Sequence, residues 1–301
     1  MALEQLLVDQ ARVLGPDHPD TLDARHTLAR WRGEVGDAAG AAAAYQQLVA
    51  DRVRVYGPDH PRTLDARHSF AWWRGEVGNP AGAAAALEQV FADHVRVLGP
   101  DHPDTLDTGH SLAWWRGAAG DAAGAAVALE QVLADRVRVQ GPDHPGTLAT
   151  RHNLAWWRGA AGEAAGAVVA FQQLVADRVR VLGADHPDTL DARHSLAWWR
   201  GKTGDEVGAV VALQQLLVDR VRVQGPDHPD TLDTRHNLAW WQGEAGHPAE
   251  AAAAYEQLLA DRVRVYGPDH RDSRATRRSL AYWRQRTSDT GQGSPSWTQP
   301  D

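Results

Sequence analysis

Seven glycines, Gly15, Gly57, Gly99, Gly141, Gly183, Gly225 and Gly267, stand 42 residues apart with no insertion between any two of them. Gly-Pro-Asp-His-Pro begins at five of them, with Ala184 replacing the first proline in one copy and Arg271 the second in another. Trp31, Trp73, Trp115, Trp157, Trp199, Trp241 and Trp283 keep the same period, as do His26, His68, His110, His152, His194 and His236. A chain folded around one central core has no reason to hold such a spacing. A stack of equivalent units, each touching only its neighbours, does.

One unit, residues 101–142, reads as two helices. Asp101 or His102 can cap the first, and Pro103 suits its opening turn, where the missing N–H costs nothing. Asp104 and Asp107 favour the positive end of that helix, A, which is expected to run to about Ala119. Gly120-Asp121 supplies the turn and the next cap. Helix B then runs from about Ala122 to Val139, where Gly141-Pro142 stops it.

Helical periodicity sorts the faces. Leu112, Trp115 and Ala119 share a stripe with Thr108 one turn earlier, and this stripe is expected to face helix B. Asp107, His110, Ser111, Trp114 and Ala118 form the opposite stripe. Trp115 is therefore expected in the core and Trp114 at or near the surface. Leu129, Val132 and Leu133 give helix B its apolar stripe. Glycine recurs early in helix B, at Gly40, Gly82, Gly124, Gly166 and Gly208, although it costs a helix about 0.5–1 kcal/mol against alanine. The expected compensation is space for the Trp115-type ring.

Composition removes several classes of function. There is no cysteine, which excludes a disulfide scaffold, a thiolate metal site and a cysteine nucleophile. A net charge of −8 argues against a nucleic-acid partner. No apolar run approaches the roughly 18 residues of a membrane span, and the N-terminus lacks the basic start and cleavage site of an export signal. A cytoplasmic protein without membrane attachment is expected. Lys202 is the only lysine among 31 basic residues, a bias that resembles high-GC bacterial coding.

The unit resembles the tetratricopeptide repeat. The resemblance rests on the Leu112-Ala113 pair, Gly120-Asp121 at the turn, Ala125 early in helix B and the large apolar Leu129. The eight added residues, about two turns of helix B, end in Arg-Val-Leu-Gly-Pro-Asp-His-Pro (96–103) and resemble the 42-residue variant of kinesin light chains and many bacterial arrays. The resemblance spans residues 1 to about 286. It implies an all-α, right-handed α-solenoid of helix-turn-helix repeats that binds protein or peptide in a concave groove walled by A helices. The sequence departs from the pattern at Arg32, Arg74, Arg116, Arg158, Arg200, Gln242 and Arg284, where the family usually has an aromatic residue.

Comparing the repeats with each other tests each chemical motif. Asp107, His110 and Ser111 suggest a triad, but the serine position reads Asn153 and Asn237 in other copies. Asparagine cannot replace a nucleophile. Gly109-His110-Ser111-Leu112-Ala113 lies mid-helix, whereas a nucleophile elbow needs a strand before it. Gly201-Lys202-Thr203 lacks the earlier glycine and the strand of a phosphate loop. His102 and His110 lie about 12 Å apart along a helix, too far for one metal ion. No catalytic residue, metal ligand or cofactor is expected.

What remains is a candidate peptide-binding groove: Asp65, His68 and Trp72; Asp107, His110, Ser111 and Trp114; His152, Asn153 and Trp156; Asp191, His194 and Trp198; Asp233, His236, Asn237 and Trp240. Packing between successive A helices, over Gly75, Gly117, Gly159, Gly201 and Gly243, is the competing role for the Trp72-type rings. Tryptophan gives large rigid contact area, and the aspartates favour a ligand that joins Arg or Lys to apolar residues. Titration of the histidines through about pH 6.5 is expected to weaken such binding. The function expected is a protein- or peptide-binding scaffold; the alternative is the ligand-sensing part of a larger bacterial signalling ATPase.

The organisation expected is a half repeat, helix B and its loop, over 1–19; six 42-residue hairpins over 20–271; a capping helix A over 272–286; and a disordered tail over 287–301. Arg271, Arg274, Arg277, Arg278, Arg284 and Arg286 make the last helix basic and polar. That favours a capped monomer, with weak head-to-tail association as the lesser outcome.

Overall fold

The computed structural model describes residues 2–291, which form fourteen helices and no strand. The chain divides into two compact units, Met1–Ala161 and Gly162–Asp301. The first contains α1 (Ala2–Leu14), α2 (Pro19–Glu34), α3 (Ala38–Tyr56), α4 (Pro61–Glu76), α5 (Pro80–Leu98), α6 (Pro103–Ala118), α7 (Ala122–Gln140) and α8 (Pro145–Ala160). The second contains α9 (Ala164–Leu182), α10 (Pro187–Lys202), α11 (Glu206–Gln224), α12 (Pro229–Glu244), α13 (Pro248–Tyr266) and α14 (Arg271–Gly291). From α2 onward, even-numbered helices are A helices and odd-numbered ones B helices. Within each unit, helices consecutive in sequence pack together, and each A helix also touches the next A helix.

The caps set these boundaries. His102 is extended, with φ −68° and ψ 139°, and its Nδ1 accepts the Asp104 N–H at 3.2 Å. The same bond opens the other A helices at His18, His60, His144, His186, His228 and His270. Asp101, the other candidate cap, is instead held by Arg138 of α7 at 2.9 and 2.5 Å. Gly99 leaves α5 at φ +90° and Gly120 makes the A–B turn at φ +108°, conformations that glycine adopts without strain.

The early glycines of helix B have a different task from the one expected. Asp121 caps α7 by accepting the Gly124 N–H at 2.9 Å, and a Cβ on Gly124 would lie 2.1 Å from the Asp121 carboxylate. Gly40, Gly82 and Gly208 make the same room for Asp37, Asn79 and Asp205. The tryptophan seats are on the A helices instead. The Trp115 ring lies over Gly75 of α4, Trp157 over Gly117, Trp241 over Gly201 and Trp283 over Gly243. So in these repeats the second tryptophan position, not the first, occupies the mid-helix glycine.

Trp115 is buried, as expected, but Leu112 and Trp115 cluster with Ala71 of α4 and Ala83 and Leu87 of α5, the preceding hairpin. The residues that meet the hairpin's own B helix are the Ala113 type, grouped with Ala125 and Leu129. An A helix in an array has a neighbour on each side, and the bulky stripe fills the wider groove between two preceding helices. Ala119 caps the helix and is exposed.

The helix-B stripe holds a surprise. In α3 the buried residues are Ala41, Tyr45, Leu48 and Arg52. Arg136, Arg178, Arg220 and Arg262 repeat the last position, and His94 takes it in α5. Each arginine is at most 4% exposed.

The C-terminal helix differs from the other A helices. Leu22, Leu64, Leu106, Leu148, Leu190 and Leu232 are buried, but Arg274 stands at that position in α14 and is exposed, as is Ala281. Gln285 occupies the place of the glycine seat. Leu280 and Trp283 still bury against α12 and α13. The helix runs to Gly291, beyond the expected end at 286, while the rest of the tail expected to be disordered, residues 292–301, lies outside the described residues.

Candidate functional site

In the first unit the stripes of α4 and α6 come together through their histidines. His68 bonds Thr108 and Ser111 of α6, both at 3.1 Å. His110 bonds Thr150 at 3.1 Å and Asn153 at 2.8 Å, both on α8. In the second unit His194 of α10 bonds Asn237 of α12 at 2.6 Å. These histidines latch one A helix to the next.

Their protonation follows from their partners. The Thr150 hydroxyl donates to the Gly146 carbonyl at 2.9 Å, so its oxygen accepts from His110 Nδ1–H. Nε2 is then the acceptor for the Asn153 amide. Thr108 donates to the Asp104 carbonyl in the same way and accepts from His68. Burial pushes His68 below its ordinary value, His110 and His236 to about 4, and His194 to about 3. Burial therefore disfavours the charged form of these four rings near pH 6.5, against the expectation that they charge there and modulate a ligand.

Ser111 is buried and bonded to His68 rather than to His110, so Asp107, His110 and Ser111 form no relay. Gly201 lies within the last turn of α10, as the seat of Trp241. Among the described residues, no group of three His, Asp or Glu is placed to hold a metal ion.

The aspartates sit above the buried arginines. Asp107 pairs with Arg136, Asp191 with Arg220 at 2.6 Å, and Asp233 with Arg262. Asp65, whose own B helix offers His94, leans on Arg52 and His26, each at 3.4 Å. Arg52 also reaches Asp23 at 2.9 Å and the Arg62 carbonyl at 2.5 Å, so a single guanidinium ties three helices. Burial raises the Asp191 and Asp233 carboxyls, against the pull of Arg220 and Arg262. Each aspartate side chain stays partly exposed; Asp107 is 59% exposed. The face is thus less acidic than its sequence suggests, because positive charge lies directly beneath it.

The first tryptophans are half-buried. Trp72 meets Trp115 edge-on at 5.2 Å and Trp114 meets Trp157 at 5.3 Å. Trp198 meets Trp241 at 5.4 Å, and Trp240 meets Trp283 at 5.5 Å while stacking on Tyr282 at 5.7 Å. His152 and Trp156 are half-buried on α8. In the second unit a polar depression of about 270 Å³ gathers His194, Asp233, His236 and Asn237 with Arg262 and Asp272.

A tetratricopeptide repeat model matches residues 21–62, 63–104, 105–146 and 147–188, and a second such model matches residues 209–262. Among solved structures, a Podosopora anserina kinesin light chain of nearly identical TPR-like repeats shares 31% identity, with a TM-score of 0.56 over 69% of this chain and 98% of that one. BtubC (BKLC) of P. vanneervenii shares 17%, with a TM-score of 0.56 over 82% and 92% of the two chains. A Rap protein in complex with Competence and Sporulation Factor shares 10%, with a TM-score of 0.62 over 95% and 80%. The last two similarities concern the fold alone. No curated protein matches the chain.

Proposed function

Because the chain belongs to the tetratricopeptide repeat family, whose hairpins build right-handed α-solenoids for protein interaction, we propose that its A-helix face holds a protein or peptide segment. The observation that carries the reading is the half-buried tryptophans of each unit, Trp72, Trp114 and Trp156 in the first and Trp198 and Trp240 in the second, beside aspartates whose side chains stay partly exposed. Apolar side chains of the ligand lie against the indole edges, and Arg, Lys or amide donors reach the free carboxylate oxygens. The histidines, Ser111, Asn153 and Asn237 hold the A helices in register beneath that surface and do not recognise the ligand through charge.

The protein acts as a non-catalytic scaffold, working in the cytoplasm as a monomer capped by α14, with no nucleic acid or membrane as partner. Among the described residues, no helix is long and apolar enough to cross a membrane. The test is capture of partners on immobilised wild-type protein, followed by calorimetry with the recovered partner. Trp114→Ala with Trp156→Ala should weaken binding at least tenfold while the fold survives. Unchanged affinity in the folded double variant would remove the tryptophan row from the account.

A further inference from the structure

The edge where α3 begins and α4 ends differs from its counterparts. On α6, α8 and α14 the arginine near the helix end is held by a glutamate of the preceding B helix: Arg116 by Glu88 at 2.8 Å, Arg158 by Glu130 at 2.7 Å, and Arg284 by Glu256 at 3.0 Å. The matching residues on α3 and α4 are Gln46 and Arg74. Glutamine brings no charge, and among the described residues no carboxylate forms an ion pair with Arg74. Its half-buried guanidinium lies instead 5.7 Å over the Phe70 ring. Arg200 also matches a glutamine, Gln172, but has Leu196 where α4 has Phe70.

Beside Arg74 the surface opens into a depression of about 340 Å³, walled by Ala39, Ala42 and Ala43 of α3 and by Phe70, with Val77 at the rim. Val77 is 54% exposed. The alanines of the wall are too small to fill the space, and among the described residues the only charge lining it is that of Arg74. In three other repeats a glutamate carboxylate satisfies the equivalent guanidinium, so the fold itself shows which chemistry completes the site.

We propose that this cleft docks an acidic–apolar segment of a partner protein. One carboxylate of the partner takes the fork of Arg74, as Glu88 takes that of Arg116, and the neighbouring aliphatic side chain covers Ala39, Ala42, Ala43 and Val77. A planar fork favours a carboxylate, and the cation–π contact with the Phe70 ring helps to hold the fork in place before the partner arrives. The surface is separate from the tryptophan row: Phe70 packs with the α2–α4 cluster that includes Leu48 and Ala44, whereas Trp72 packs on Trp115 of α6. The inference therefore goes beyond the A-helix reading and stands or falls without it.

The experiment is fluorescence polarisation of the full chain with a labelled Gly-Ala-Glu-Leu-Ala-Gly peptide and its Glu-to-Gln form at low salt. The acidic peptide should bind at least tenfold more tightly than the amide form, and rising salt should weaken it. Gln46→Glu supplies the internal carboxylate and should weaken binding at least tenfold with the thermal midpoint kept or raised. Arg74→Gln should weaken it similarly, and Trp114→Ala with Trp156→Ala should leave it unchanged. Equal binding of the two peptides, wild-type binding by Gln46→Glu, or no saturable binding at millimolar peptide would each overturn the proposal. Loss of binding only in the tryptophan variant would overturn it and return the acidic segment to the A-helix face.

Discussion

Gly117→Ala and Gly166→Ala are one chemical change on two helices, with opposite expected signs. Replacing a helical glycine by alanine gains about 0.5–1 kcal/mol where nothing obstructs the new methyl group. At Gly166 the nearest atoms to a Cβ belong to Glu163, at 3.9 Å, so that gain should appear in full. At Gly117 a Cβ would lie 2.5, 2.6 and 2.7 Å from three atoms of the Trp157 indole, where ordinary contact begins at 3.4 Å. The ring would have to retreat by nearly an ångström. It is 8% exposed, packed with Ala113, Ala125, Leu129 and Leu154, and edge-on to Trp114. Overpacking of this kind costs about 1–3 kcal/mol, which outweighs the helical gain and leaves a net loss of up to about 2.5 kcal/mol. Full expulsion of the ring would raise the loss toward about 3–5 kcal/mol. Urea unfolding followed by far-UV circular dichroism gives the sign. Native-state hydrogen exchange in α6–α8 gives the local value, because an array need not unfold as one unit. Trp157→Leu should abolish the penalty of Gly117→Ala in a double-mutant cycle. A Gly117→Ala variant as stabilised as Gly166→Ala would refute the seat.

Trp115→Ala should cost about 3–5 kcal/mol, whereas Trp114→Ala, half-buried, should cost clearly less; equal thermal losses would refute the division between the two rings. Arg52→Met removes the charge-assisted bonds to Asp23 and the Arg62 carbonyl, each worth about 1.5–3 kcal/mol at most and less here because Asp23 is half-exposed; a destabilisation too small to resolve by urea titration would argue against the staple. The neutral histidines set a pH dependence. His110, His194 and His236 stay unprotonated in the fold down to about 4, 3 and 4. The unfolded chain takes up those protons near pH 6.5, so stability should be level above about pH 7 and fall as pH drops toward 4. Thermal midpoints that do not move between about pH 7 and 5 would contradict the buried latch.

Helix boundaries were legible because each is written in one local residue: His102 and Pro103 start α6, and Gly141 ends α7 within a residue of the expected stop. The burial of Trp115 was legible from helical period. Its partner was not, since period says which residues share a face but not which neighbour that face meets. The histidine latch was hidden for a related reason. His110 reaches Thr150 and Asn153, forty and forty-three residues on, and only the stagger between neighbouring A helices brings them together. The buried arginines did carry a signal. Arg52 continues the spacing of Ala41, Tyr45 and Leu48 down one face of α3, so its register placed it in the interior although its charge suggested the surface. For Gly124 the explanatory neighbour was Asp121, three residues away, not the distant ring.

The edge-on indole pairs also make the seams between hairpins optically distinct. Transition dipoles held a little over 5 Å apart in fixed relative orientation couple strongly, so each Trp72–Trp115 or Trp198–Trp241 pair should split its absorption into an exciton couplet in the circular dichroism spectrum. Excitation should also migrate along the row within each unit. Separation of neighbouring A helices would erase the couplet even while every helix remained intact, so the protein carries, without any added label, a signal for the opening of its repeat-to-repeat seams.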